Sequence, residues 1–188
     1  MEEKGSPQKA GQSQQLVQFV LQTPPFAHFA VRQVQPLLKV ARPRPLRAGE
    51  ALWRAGDQPQ GMLILVQGAA RVKQGGGSAR RVEPVAVLGE VELVAGVPYA
   101  TEVTALSDSL FLELSAALVE ALLARDSAFC QRLSRNIAGA LAAELQQANE
   151  RLGALTRRRE DLSRELDRAR LELNDLNLVR RLREERGA

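Results

Sequence analysis

The residues best suited to hold a small charged molecule lie together in GEVELVAGVPYATEVTAL, residues 89–106. Gly89 followed by Glu90 opens a short apolar turn of helix, and Gly96 and Pro98 lead out of it into a strand. Backbone N–H groups at such a helix start face an anion, and the glycines let the loop wrap it closely. The side chain that follows Pro98 is Tyr99, however, and a phenol brings no positive charge to an anion. Glu90 and Glu102 place negative charge beside it, while Thr101 offers a hydroxyl donor.

No other group of residues forms a catalytic constellation. The single His28 sits among Pro25, Phe26 and Phe29 in a helical cover, where a packed or surface imidazole is expected rather than a general base. Cys130 is the one cysteine, expected as a buried, inert thiol. With one histidine and one cysteine, neither a disulfide nor a zinc site of ordinary ligands can be built. No serine or lysine has an activating neighbourhood. The chain therefore reads as a non-enzyme without metal.

Composition narrows the partners. Aromatics make up 4% of the 188 residues, too few for a base-stacking platform. The net charge of +4 comes from arginines spread along the chain and mixed with acids, as on a solvated surface. Nucleic acid is not an expected partner. The polar N-terminus has no apolar core, and no run approaches about 18 apolar residues, so the chain reads as cytoplasmic and without a membrane span.

The elements that must position residues 89–106 follow from texture. Residues 1–14 are rich in Gln, Ser, Gly and Lys without periodicity, and are expected to form a disordered leader. Leu16 to Leu21 form a short amphipathic helix, and Phe26 to Leu38 a second helical piece. From Arg42, short apolar strings recur every 8 to 12 residues between Gly, Pro or Asp, which marks a small antiparallel sandwich or barrel. Gly75-Gly76-Gly77 marks a hairpin tip. The turn Ser107-Asp108-Ser109 separates the last two strands, Trp53 belongs to the core, and Leu118 to Leu123 form a short helix that ends near Asp126. The domain is thus set at residues 15–126.

Four separated motifs, Ala48-Gly49-Glu50-Ala51-Leu52-Trp53, Gly56-Asp57, MLILVQGAARV and residues 89–106, resemble in order and spacing the cyclic nucleotide-binding domain family. The resemblance covers roughly residues 16–145. It implies a β-rich α+β fold, an eight-stranded jelly-roll barrel closed on itself, with flanking helices. It also implies a phosphate-binding cassette in which Gly89, Glu90, Tyr99, Ala100 and Thr101 are the ligand-facing positions. The family's glutamate, here Glu90, holds the ribose hydroxyl. Its arginine pairs with the cyclic phosphate, and that position is Tyr99. Losing a bidentate guanidinium–phosphate contact costs a few kcal/mol, enough to turn a micromolar site millimolar. Tyr99 is expected to fill the pocket with its own ring, leaving no cofactor bound.

From residue 127 to 186 there is no proline, and a helix of that length would extend about 90 Å. From about residue 141 it carries a heptad seam. With Leu145 at a, the a and d sites are Leu145, Ala148, Leu152, Leu155, Arg159, Leu162, Leu166, Ala169, Leu173 and Leu176, nine of the ten being Leu or Ala. A sustained 3.5-residue repeat is the pattern of a coiled coil. Glu165 at g and Arg170 at the next e support a parallel homodimer. Arg159 either sets register or lets its stem reach water. The 12 Arg and 10 acidic residues from residue 134 onward offset one another, unlike a DNA-binding basic region.

Together these features predict a regulatory or scaffold dimer whose domain contacts an unidentified protein and has little or no nucleotide affinity. The alternative is a cAMP or cGMP sensor that signals through the hinge near Leu123 to Ser127 into the coiled coil. A third reading is a transcription regulator of the catabolite activator type without its helix-turn-helix.

Overall fold

The computed structural model describes residues 7–75 and 79–186. Helix α1 (Pro7–Leu21), a 3-10 turn at Pro24–Phe26 and α2 (Val31–Val40) come first. Eight strands follow: β1 (Arg42–Leu46), β2 (Ala51–Trp53), β3 (Gly61–Gln67), β4 (Ala70–Gln74), β5 (Ala79–Val82), β6 (Ala86–Leu88), β7 (Thr101–Ala105) and β8 (Ser109–Ser115). Helix α3 (Glu90–Ala95) lies between β6 and β7, and α4 (Ala116–Arg125) and α5 (Ser127–Arg186) follow β8.

The strands form two four-stranded antiparallel sheets, ordered β1-β8-β3-β6 and β2-β7-β4-β5. This is the jelly roll with flanking helices and a long C-terminal helix, built as two open sheets rather than the expected closed barrel. The reason lies in the chain. Glu83, Pro84 and Val85 break the return from Val82 to Leu88, so β5 and β6 join different sheets. At another edge, β1 carries Pro43 and Pro45, which have no N–H to offer a further strand.

Strand β3 is apolar without alternation because both of its faces are covered. Leu63 and Leu65 enter the core between the sheets with Leu52, Trp53, Val103 and Phe111. Met62 and Ile64 enter a second core with Val20, Phe26, Val119 and Leu133, from the helices.

Two boundaries differ from expectation. Helix α1 begins at Pro7, so residues 7–14 are helical where a disordered leader was expected; residues 1–6 lie outside the described part. Proline suits a first helical turn, and the Gln, Lys and Ala that follow are good helix formers. The compact unit extends through residue 140 rather than ending at 126, and residues 141–188 form a second unit. Phe129, Leu133 and Ile137, one turn apart on α5, are buried in the helical core. Asp126 caps this helix, its Oδ1 accepting from the Phe129 N–H at 2.9 Å. Asn136 Nδ2 donates to the Pro25 and Ala27 carbonyls at 3.0 and 2.7 Å, and Arg132 to the His28 carbonyl at 2.8 Å. His28 is exposed, and Cys130 is half-buried rather than buried.

Within residues 141–175 the seam leucines stand open. Leu145, Leu152, Leu155, Leu162, Leu166 and Leu173 are between 48% and 67% exposed. The side chain of Leu176 lies outside the described residues. No described helix is long and apolar enough to cross a membrane.

Candidate functional site

Residues 89–101 connect β6 to β7, and two left-handed glycines shape the connection. Gly89 (φ 80°) precedes α3 and Gly96 (φ 67°) ends it, its N–H donating to the Glu92 carbonyl. The backbone of Tyr99 is pinned to the β2–β3 loop: its N–H donates to the Asp57 carbonyl at 2.9 Å, and its carbonyl accepts from the Gly56 N–H at 2.8 Å.

The ring is thereby driven inward. Tyr99 is 2% exposed and stacks on Trp53 with ring centroids 4.1 Å apart and planes 9° from parallel. Its hydroxyl donates to the Gly61 carbonyl at 2.9 Å. Gly89 makes room for it, since a Cβ there would lie 3.0 Å from Tyr99 Cε1 and 3.3 Å from the Trp53 ring. Gly89→Ala should therefore combine backbone strain with ring contact, lowering stability by about 1–3 kcal/mol in denaturant unfolding followed by Trp53 fluorescence.

Burial pushes the Tyr99 phenol above its ordinary value, the Glu92 and Glu113 carboxylates add to this, and backbone groups of Gln60 and Gly61 pull the other way. Because the folded value is raised, the neutral phenol contributes stability that is fully present below the unfolded value of 10.0 and is lost as pH rises through the folded one. Tyr99 is the only tyrosine, so absorbance titration of phenolate reads this group alone. Its midpoint should lie above that of the unfolded chain.

Ala100 is exposed, and its N–H faces Glu92 Oε1 at 3.4 Å, so a carboxylate of the chain itself meets that donor. Glu90 is half-buried at the start of α3, and Thr101 is half-buried at the start of β7. A cavity of about 260 Å3 remains beside Tyr99, lined by Arg44, Trp53, Asp57 and Gln60 among others. This is smaller than ordinary ligand sites of roughly 300–1,000 Å3. Arg44 is already engaged, with Nη1 3.6 Å from Glu113 and Nη2 donating to the Leu52 carbonyl at 3.3 Å. Trp53 Nε1 is buried and has no hydrogen-bond partner among the described residues.

Arg44, Glu92 and Gly61 are parts of this site that no motif in the sequence marks. Arg44 alternates with Pro43 and Pro45 along β1, a period-2 signal that gives its face but not which neighbour it meets.

The sequence pattern of the cyclic nucleotide-binding domain matches residues 43–126. Residues 43–126 belong to the cyclic nucleotide-binding domain family. The structure is similar to the catabolite activator protein of Thermus thermophilus, at 25% identity and a TM-score of 0.57, over 71% of this chain and 63% of that one. This chain thus spans less than two thirds of that relative. It is also similar to the regulatory domain of Toxoplasma gondii PKA, solved with cAMP, at 25% identity and a TM-score of 0.53, over 59% of this chain and 44% of that one. The sensor domain of the transcriptional regulator DNR from Pseudomonas aeruginosa shares the fold at 16% identity and a TM-score of 0.56, over 71% and 93% of the two chains. No curated protein matches the sequence. Within this cyclic nucleotide-binding domain, Tyr99 occupies the volume beside Trp53, Gly61 and Gly89.

Proposed function

We propose that this chain is a non-enzymatic, cytoplasmic regulatory or scaffold protein. In this reading its cyclic nucleotide-binding domain has little or no affinity for cAMP or cGMP and serves contact with another protein. The seam from Leu145 to Leu176 pairs two copies as a coiled coil, which gives the protein valence.

The observation that carries the reading is the Tyr99 ring, stacked on Trp53 and hydrogen-bonded to Gly61 where the family resemblance places an arginine. A phenol held this way gives a cyclic phosphate neither charge nor space. The engagement of Arg44 by Glu113 supports it, because that guanidinium is not free to substitute. The lone Cys130 suits a reducing compartment.

A ligand that binds only the folded state raises the melting temperature by mass action. With millimolar cAMP or cGMP the melting curve should not move, and light scattering should give twice the 20.6 kDa chain mass. A shift of several degrees would favour the sensor reading, and a monomer would remove the coiled coil.

A further inference from the structure

We infer that the two copies of this arm pair antiparallel, in the register that sets Ala148 of one copy against Leu173 of the other. The inference rests on the proposed self-pairing and reverses the orientation expected from Glu165 and Arg170 alone.

Core volume is the first argument. A parallel pair sets identical residues opposite one another, so it makes Ala148–Ala148 and Ala169–Ala169 layers with too little side chain to fill them, and an Arg159–Arg159 layer of like charges. Reversing one helix about the middle of the seam pairs each a site with a d site. Leu152 then faces the partner's Ala169, Leu155 the partner's Leu166, and Leu173 the partner's Ala148. Large meets small in the layers that contain alanine. Arg159 faces the partner's Leu162, over which its stem can lie while the guanidinium reaches water.

Charge is the second and independent argument. The g sites are Arg151, Arg158, Glu165 and Glu172, two basic followed by two acidic. In antiparallel pairs g faces g. In this register Arg151 meets the partner's Glu172 and Arg158 the partner's Glu165, with both contacts repeated by symmetry. In the parallel arrangement only Glu165 finds an opposite charge, Arg170, which already lies 4.0 Å from Asp167 on its own helix. None of the four g residues makes an ion pair among the described residues. Nor does anything cover Leu152, Leu155, Leu162, Leu166 or Leu173, all exposed in the single chain.

Disulfide trapping distinguishes the arrangements. In a Cys130→Ser background, Ala148→Cys and Leu173→Cys are prepared separately, checked for dimer mass under reducing conditions, then mixed, exchanged and oxidised. The antiparallel register holds the two copies of residue 148 roughly 37 Å apart. The mixture should therefore give a covalent dimer, and neither variant alone should. A second pair, Leu152→Cys with Ala169→Cys, probes another layer and covers the loss of either first variant to misfolding. Cross-linking of Ala148→Cys by itself, or no cross-link in both mixtures from a dimeric parent, overturns the register. A monomeric parent instead overturns the self-pairing on which the register rests.

Discussion

Tyr99→Ala should destabilise the domain by about 3–5 kcal/mol, the range for removing a large aromatic from a core that cannot fully collapse. The ring is 2% exposed, and its loss uncovers one face of Trp53 and leaves the Gly61 carbonyl without its phenol donor. Trp53 is the only tryptophan, so its fluorescence reports the site directly. Denaturant unfolding should show the lower midpoint, and the folded-state emission should move to the red as water reaches the indole. Tyr99→Phe separates the two contributions. It keeps the stacked ring and removes the hydroxyl, so its cost should be about 1 kcal/mol. If alanine cost no more than phenylalanine, the ring would not be filling the space, and the reading of a plugged pocket would fail.

In the proposed dimer, Leu155→Ala should separate the two copies while leaving the first unit folded. In a pair of identical chains the change is made twice, and each buried leucine lost costs about 2–5 kcal/mol. Together they should weaken self-association by roughly a thousandfold or more. Light scattering at micromolar concentration should then report a single chain. Far-ultraviolet circular dichroism should lose helix, because isolated helices without an apolar partner are marginal in water. Trp53 emission should stay unchanged, since Leu155 lies in the second unit and Trp53 in the first. A dimer that survived the substitution would place the association elsewhere.

How far the fold could be read depended on the range of each signal. Strand β3, the Gly89 turn and α5 announce themselves through local patterns: a two-sided apolar run, a glycine before a glutamate, and 60 residues without proline. The division into open sheets did not, because it depends on which strand pairs with which after the break at Pro84, a non-local choice. The helix from Pro7 was missed because its polar residues lack an apolar stripe. At the site, Gly89, Glu90 and Tyr99 were singled out as ligand-facing positions through the family resemblance, which also marks Tyr99 as standing where the family has an arginine. The Gly61 carbonyl, the Glu92 carboxylate facing Ala100, and the pairing of Arg44 with Glu113 were not. Each of these contacts joins segments brought together only by the turn of the chain. In the proposed antiparallel pairing the order of the alanines and of the g-site charges sets the direction, which the repeat alone does not and which the Glu165 and Arg170 positions alone had pointed the other way.

In the proposed function, Tyr99 occupies the space and removes the charge that a cyclic nucleotide would need. Calorimetric titration of the intact protein with cAMP and with cGMP, carried to millimolar ligand, tests it most directly. No binding heat beyond dilution is expected for either nucleotide. Saturable micromolar binding of either one would contradict it, and would make Tyr99 a residue that moves aside for ligand or chooses it.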